Sequence, residues 1–199
     1  MTEPVTLDIA EMLPATFTAP SMTEAEFLEL CQKFPDASLE YTPDGTLIIM
    51  PPTDPESAVR VFEAGLQLGI WNRTHDRGIV FGPDGGFLLP DGARRSPDAC
   101  WFDAARWEAA KTPGKRFPVF APEFVIEVRS PGDRLPPLQA KMEEYISNGV
   151  QLGWLIDPSM RAVTIYRPGH APQMLDNPAA VSGEGAIDGF VLSLDRIFT

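Results

Sequence analysis

Glu127 is the residue in this chain whose position most needs a chemical explanation. It sits inside Phe124-Val125-Ile126-Glu127-Val128-Arg129, a nearly continuous apolar run with the composition of a buried strand. An ionised carboxylate there is costly unless it is paired, hydrogen-bonded or bound to a cation. Alternation along a strand puts Glu127 and Arg129 on one face and Phe124, Ile126 and Val128 on the other, so a local Glu127–Arg129 ion pair is one possible compensation. Asp98 opens a second apolar run, Asp98-Ala99-Cys100-Trp101-Phe102, directly after Ser96-Pro97. Alone it reads as a turn carboxylate satisfying nearby amides. Together, an acid opening one strand and an acid inside another about thirty residues later can bring two oxygen ligands to one hard cation. Lys141 is the third candidate. On a wheel of about 100° per residue, Leu138, Met142, Tyr145 and Ile146 form a sheet-facing stripe, and Lys141 lies on its flank, about 40° from Tyr145. It either snorkels beside that stripe or reaches the strand bearing Glu127.

The elements that must position these groups can be read from turn and cap signals. Thr23 and Glu26 form a capping box before a short helix that ends near Pro35. Strands over Ser38–Thr42 and Thr46–Met50 flank Pro43-Asp44-Gly45, a tight-turn tripeptide that recurs at Pro83-Asp84-Gly85 and Pro90-Asp91-Gly92 between further strands at Gly78–Gly82, Gly86–Leu89 and Pro97–Phe102. With Asp54 as N-cap and Pro55 at the first helical position, a long helix should run to about Thr74, presenting Val59, Phe62, Leu66, Ile70 and Trp71 on one buried face. A helix over Pro136–Asn148, stopped by Gly149, joins the Glu127 strand to Leu152–Asp157, which predicts a parallel βαβ unit. Ala162–Arg167 should pair next, and the glycine-bearing tail should be loop and edge strand. Residues 1–22 should form an extended arm, and residues 23–199 a single domain, as 199 residues with 44% hydrophobic content allow.

Composition excludes several functions. Two distant cysteines, Cys31 and Cys100, make neither a disulfide framework nor a zinc motif and predict buried free thiols. The acidic N-terminus and the lack of a long apolar run predict a cytoplasmic chain without a signal peptide or membrane span. A formal charge of −12 argues against nucleic-acid binding by a generally basic surface. The exception is Asp91–Arg116, where six basic residues (Arg94, Arg95, Arg106, Lys111, Lys115, Arg116) outnumber four acids, which fits either a local positive rim or, at least as well, a solvated loop face. A glycosidase-type carboxylate pair would need one acid of raised pKa, which neighbouring Arg129 and Lys141 would oppose.

The ordered motifs Ser96-Pro97-Asp98, Pro122-Glu123-Phe124-Val125-Ile126-Glu127-Val128-Arg129-Ser130-Pro131, Lys141-Met142 with Tyr145 and Gly149, and Trp154-Leu155-Ile156-Asp157-Pro158 resemble the Uma-two family of restriction-endonuclease-like proteins, within the PD-(D/E)XK nuclease superfamily. The resemblance covers Pro51 to about Gly169. It implies an α/β fold with a mixed central sheet flanked by helices, and Asp98 and Glu127 as metal ligands helped by the Val128 carbonyl. Glu56 matches an acidic position that some members add. The usual lysine two residues after the glutamate is here Arg129, and the family pattern suggests that it has moved to Lys141. Arg129 stays protonated and could only support charge. The expected activity is hydrolysis of nucleic-acid phosphodiesters, with DNA the favoured substrate. The expected cofactor is Mg²⁺ with Mn²⁺ as a substitute. Cutting both strands of a duplex with one site per chain predicts a homodimer, its contact sought in the N-terminal arm. The alternative is a nuclease-like fold retained as an inactive binding or regulatory module.

Overall fold

The computed structural model describes residues 15–18, 22–35, 37–50, 52–111 and 119–199. Their elements are β1 (Ala15–Thr18), α1 (Glu24–Lys33), β2 (Ser38–Tyr41), β3 (Thr46–Met50), α2 (Pro55–His75), β4 (Gly78–Phe81), β5 (Phe87–Leu88), β6 (Arg94–Arg95), β7 (Ala99–Asp103) and α3 (Ala104–Ala110). The chain continues through β8 (Phe124–Val128), α4 (Leu135–Ser147), β9 (Leu152–Asp157), β10 (Ala162–Tyr166), β11 (Gln173–Asp176), β12 (Ala180–Ser182), a 3-10 turn at Gly185–Ile187, and β13 (Val191–Ser193). Backbone contacts gather them into two units, one within residues 1–52 and 92–94, the other formed by 53–91 and 95–199.

In the first unit β1, β3 and β2 pair antiparallel, with Ala15 opposite Ile49 and Leu39 opposite Ile49 on its other side. The expected capping box starts α1: the Thr23 hydroxyl accepts the Glu26 amide, and the Glu26 carboxylate accepts the Thr23 amide at 2.8 Å. Phe27, Leu39, Tyr41, Leu47 and Ile49 form a small apolar core. Gly45 takes the left-handed φ of 90° that its turn requires. Of the segment expected to be an extended arm, residues 15–18 are strand, while 1–14 and 19–21 lie outside the described residues.

The second unit is built on a six-stranded mixed sheet, β11-β10-β9-β8-β7-β4. Its neighbours run antiparallel except β8 and β9, which are parallel with Glu127 opposite Leu155, as the crossover helix requires. Helix α4 covers one face. There the end of the Met142 side chain fills the space over Gly153, where a Cβ would come within 2.5 Å of Met142 Cε. Against the other face lie Val61, Ala64, Leu68 and Trp71 of α2 with Phe190 and Leu192 of the C-terminal segment, enclosing Phe124, Ile126 and Trp154. Each such large side chain contributes on the order of 1.5–3 kcal/mol by leaving water. Among the described residues no helix is long and apolar enough to cross a membrane.

Two sequence readings are corrected here. The face expected to bury α2 is the wrong one: Val59, Phe62, Leu66 and Ile70 are exposed, and only Trp71 of that set is buried. Helix α2 is apolar on two sides, so periodicity alone fits either, and the sheet takes the stripe containing the small Ala64, which permits close approach. The strand expected from Pro97 begins only at Ala99, which leaves Asp98 just outside the ladder. Helix α3 was not expected; Asp103 caps it by accepting the amides of Ala105 and Arg106.

Candidate metal and phosphate site

Strand β8 is buried throughout, and its alternation separates two environments. Phe124, Ile126 and Val128 join the core under α2. Glu127 projects toward α4, where Lys141 Nζ lies 2.8 Å from Glu127 Oε1 and the Tyr145 hydroxyl donates to the same oxygen at 3.0 Å. All three side chains are buried. Lys141 and Tyr145 are four residues apart on one helical face, so a single turn of α4 presents both donors together. Tyr145 was legible only as a core residue. Nothing in the sequence marked its hydroxyl as a partner of Glu127.

Asp98 immediately precedes β7, the strand beside β8. That strand pairs antiparallel with β8 through Ala99 opposite Ile126 and Cys100 opposite Val125; one further step of this register sets Asp98 across from Glu127. The Asp98 carboxylate accepts the Val128 amide at 2.7 Å. The amide and carbonyl of one residue leave a strand on the same edge, so the Val128 carbonyl also points to the Asp98 side. Asp98, Glu127 and Val128 thus offer two carboxylates and a carbonyl, the hard oxygen donors that Mg²⁺ prefers.

The remaining candidates are placed elsewhere. Arg129 does not form the local ion pair with Glu127 that strand alternation allowed as an alternative. Its Nη1 donates to Asp157 at 2.7 Å, and its Nε and Nη2 donate to the Asp133 carbonyl, because β8 ends at Val128 and the chain turns there. Glu56, at the start of α2, is 80% exposed and loosely paired with Arg60 at 3.6 Å. Among the described residues no group of three or more His, Cys, Asp or Glu side chains forms a metal cluster, so Glu56 does not join the other two acids.

Of the six basic residues within 91–116, Arg95, Arg106 and Lys111 have acid partners. Arg94 is buried over the rings of Phe27 and Tyr41, Arg95 pairs with Glu144 at 2.5 Å, Arg106 pairs with Glu123, and Lys111 pairs with Glu108. Lys115 and Arg116 lie outside the described residues. Cys100 is buried and Cys31 partly so, both as free thiols. Burial pushes the Cys100 thiol well above its usual range, a backbone hydrogen bond at Phe81 opposes this, and the charges of Glu127 and Glu123 reinforce it. Cys100 is therefore a neutral core group and no nucleophile.

Asp157 is a residue whose importance the sequence did not reveal. Burial raises its carboxyl, but the Ser159 hydroxyl, the Arg129 guanidinium and the Met160 amide together outweigh burial and hold it below the usual value. A carboxyl depressed in the folded state adds stability that is fully present above its unfolded value of about 3.9 and is lost as pH falls through the folded value. Melting temperatures measured from about pH 7 downward should therefore fall below about pH 4 more steeply for the native protein than for Asp157→Asn. Parallel acid limbs would contradict this role.

The fold and the motifs both have counterparts. No curated protein matches the chain. A crystal structure described as "a putative nuclease belonging to DUF820 from Anabaena variabilis" superposes with a TM-score of 0.74 at 23% identity, over 89% of this chain and 98% of that one, a likeness of fold. The mixed α/β architecture that the motifs implied is thus shared with that structure. The model of the Uma2 family, described as "Putative restriction endonuclease", matches residues 24–195, which is most of the chain and includes every element of the Asp98–Glu127 site, and the chain accordingly belongs to the Uma2 family.

Proposed function

We propose that this chain is a cytoplasmic, Mg²⁺-dependent endonuclease that hydrolyses phosphodiester bonds of DNA, with Mn²⁺ able to substitute, and that it works as a homodimer. The observation that carries the reading is the buried Glu127–Lys141 pair at 2.8 Å, on the strand whose Val128 amide donates to the Asp98 carboxylate at 2.7 Å. Family membership supports the reaction class. In this account Asp98, Glu127 and the Val128 carbonyl would hold the cation, which would supply a coordinated water of lowered pKa and a Lewis acid for a phosphate oxygen. Lys141 orients the attacking water and offsets negative charge as the phosphorus becomes five-coordinate. Tyr145 fixes the Glu127 carboxylate by donating to Oε1, and Arg129 supports the site at a distance by anchoring the turn after β8. Residues 23–199 act in this reading as one functional domain, with residues 1–22 as an appended segment.

A second reading, an inactive nuclease-like module, is favoured by the formal charge of −12 and by the acid partners of the basic residues near the site. Calorimetric titration with Mg²⁺ separates the two. Saturable binding that is lost in Glu127→Gln supports the nuclease reading, whereas no binding to the native protein selects the inactive module.

A further inference from the structure

The exposed side of α2 is an apolar surface with no described partner. Val59, Phe62, Leu66 and Ile70 are 61%, 67%, 41% and 59% exposed. At about 100° per residue they fall within a stripe about 80° wide centred on Leu66, opposite the stripe that packs on the sheet. Four large apolar side chains aligned along one helix are more than scattered surface residues and mark an interaction site. Phe62, Leu66 and Ile70 also line a groove of about 340 Å³, together with Gly65, Gly69 and Arg73 of α2, the 80–83 stretch at the end of β4, and Asp98. Glycine inside a helix costs about 1 kcal/mol relative to alanine. A Cβ on Gly69 would meet nothing within 4 Å, so no contact within the described chain requires a glycine there.

We propose that this face is the contact between two copies of the chain, paired as antiparallel α2 helices about a twofold axis passing beside Leu66. The surface is self-complementary in the sense that such an axis demands. Phe62, the most exposed of the four, lies four residues before Leu66. The Gly69 notch lies three residues after it, on the same lateral side of the stripe. Antiparallel pairing therefore seats each Phe62 ring over the other copy's Gly69, and Leu66 meets Leu66. It also runs the Arg73 end of each helix toward the Asp54–Glu56 end of the other, whereas parallel pairing would set like charges together. The stripe itself carries no carboxylate, which matters for two chains of formal charge −12. Its four side chains and the surface between them offer on the order of 500 Å² per copy, the amount needed for a specific interface of about 1,000 Å² in total.

This inference gives the homodimer of the proposed function its surface, and its test reads mass, not cleavage. Light scattering and sedimentation at micromolar concentration should find the native protein at twice 21.8 kDa. Phe62→Asp removes the knob. Gly69→Leu fills the notch while exchanging a poor helix former for a good one, so its melting temperature should not fall. Each substitution should raise the dimer dissociation constant by about 30-fold or more, as loss of a central anchor does. A native protein that is monomeric at that concentration, or either variant dimerising like the native protein, overturns the proposal. A monomer that still cleaves with Mg²⁺ would refute this interface and the homodimer while leaving the metal site standing, and a dimer that binds no Mg²⁺ would refute the site reading alone.

Discussion

Asp98→Asn is expected to lower Mg²⁺-dependent cleavage by about 10³-fold or more while leaving the protein folded, because it removes charge without removing shape. The Asp98 carboxylate has two duties that this substitution separates. One is structural: it accepts the Val128 amide at 2.7 Å at the open end of the β7–β8 ladder. The asparagine carbonyl can still accept that bond, so the stability cost should be about that of exchanging a charged for a neutral hydrogen bond, near 1 kcal/mol. The other duty is electrostatic, and an amide oxygen holds a divalent cation far less strongly than a carboxylate. Asp98→Ala loses both and should show the same catalytic defect with a lower melting temperature. Gel-based cleavage and thermal melts on the two variants check this. Equal activity of Asp98→Asn and the native protein would leave Asp98 a purely structural residue.

Lys141→Ala should fail in two measurable ways. Removing one partner of a buried pair leaves the Glu127 charge without its counter-ion, which typically costs about 3–5 kcal/mol, and the Tyr145 hydroxyl bond that remains places the cost toward the lower end. For a chain of this size that lowers the melting temperature by roughly 6–20 °C. Turnover should also fall by about 100-fold or more, through loss of a transition-state contact. The two effects are separable by a second substitution. The double variant Glu127→Gln with Lys141→Met carries no buried charge at these positions, so its melting temperature should recover most of the loss while its activity stays absent. Arg129→Lys should be mild in turnover and show its effect in stability, since Arg129 is held by Asp157 and the Asp133 carbonyl and not by Glu127. Full activity of Lys141→Ala would remove the lysine from the chemistry and leave it a counter-ion for Glu127.

What the sequence disclosed follows from which signals are local. Caps and turns are encoded within four or five residues, so the Thr23–Glu26 box, the Asp54–Pro55 start of α2 and the turn at Gly45 were all legible. The β8-α4-β9 unit was legible because a buried parallel pair needs two continuous apolar runs joined by an amphipathic helix. Helical angle put Lys141 on the flank of the buried stripe of α4 but left it free to snorkel or to reach Glu127, and the tertiary packing decides for Glu127. The same logic misled for α2, where two apolar stripes compete and only the shape of the sheet decides between them. Partners set by tertiary position were not legible. The Arg129–Asp157 bond joins the ends of neighbouring strands, and the Tyr145–Glu127 bond depends on the height at which α4 crosses the sheet. The acid partners of Arg95 and Arg106 were hidden for a related reason: composition counts charges along the chain, while Glu144 and Glu123 reach them from distant segments.

The central claim, that the Asp98–Glu127–Lys141 constellation is a metal-dependent phosphodiesterase site, is tested most directly by incubating the purified native protein with duplex DNA, single-stranded DNA and RNA, with Mg²⁺ or Mn²⁺ and with chelator, alongside Asp98→Asn. The account predicts cleavage of DNA with either metal, none with chelator, and none above background for the variant. Cleavage that persists in chelator or in Asp98→Asn, or no cleavage of any substrate by a folded native protein with either metal, would contradict it.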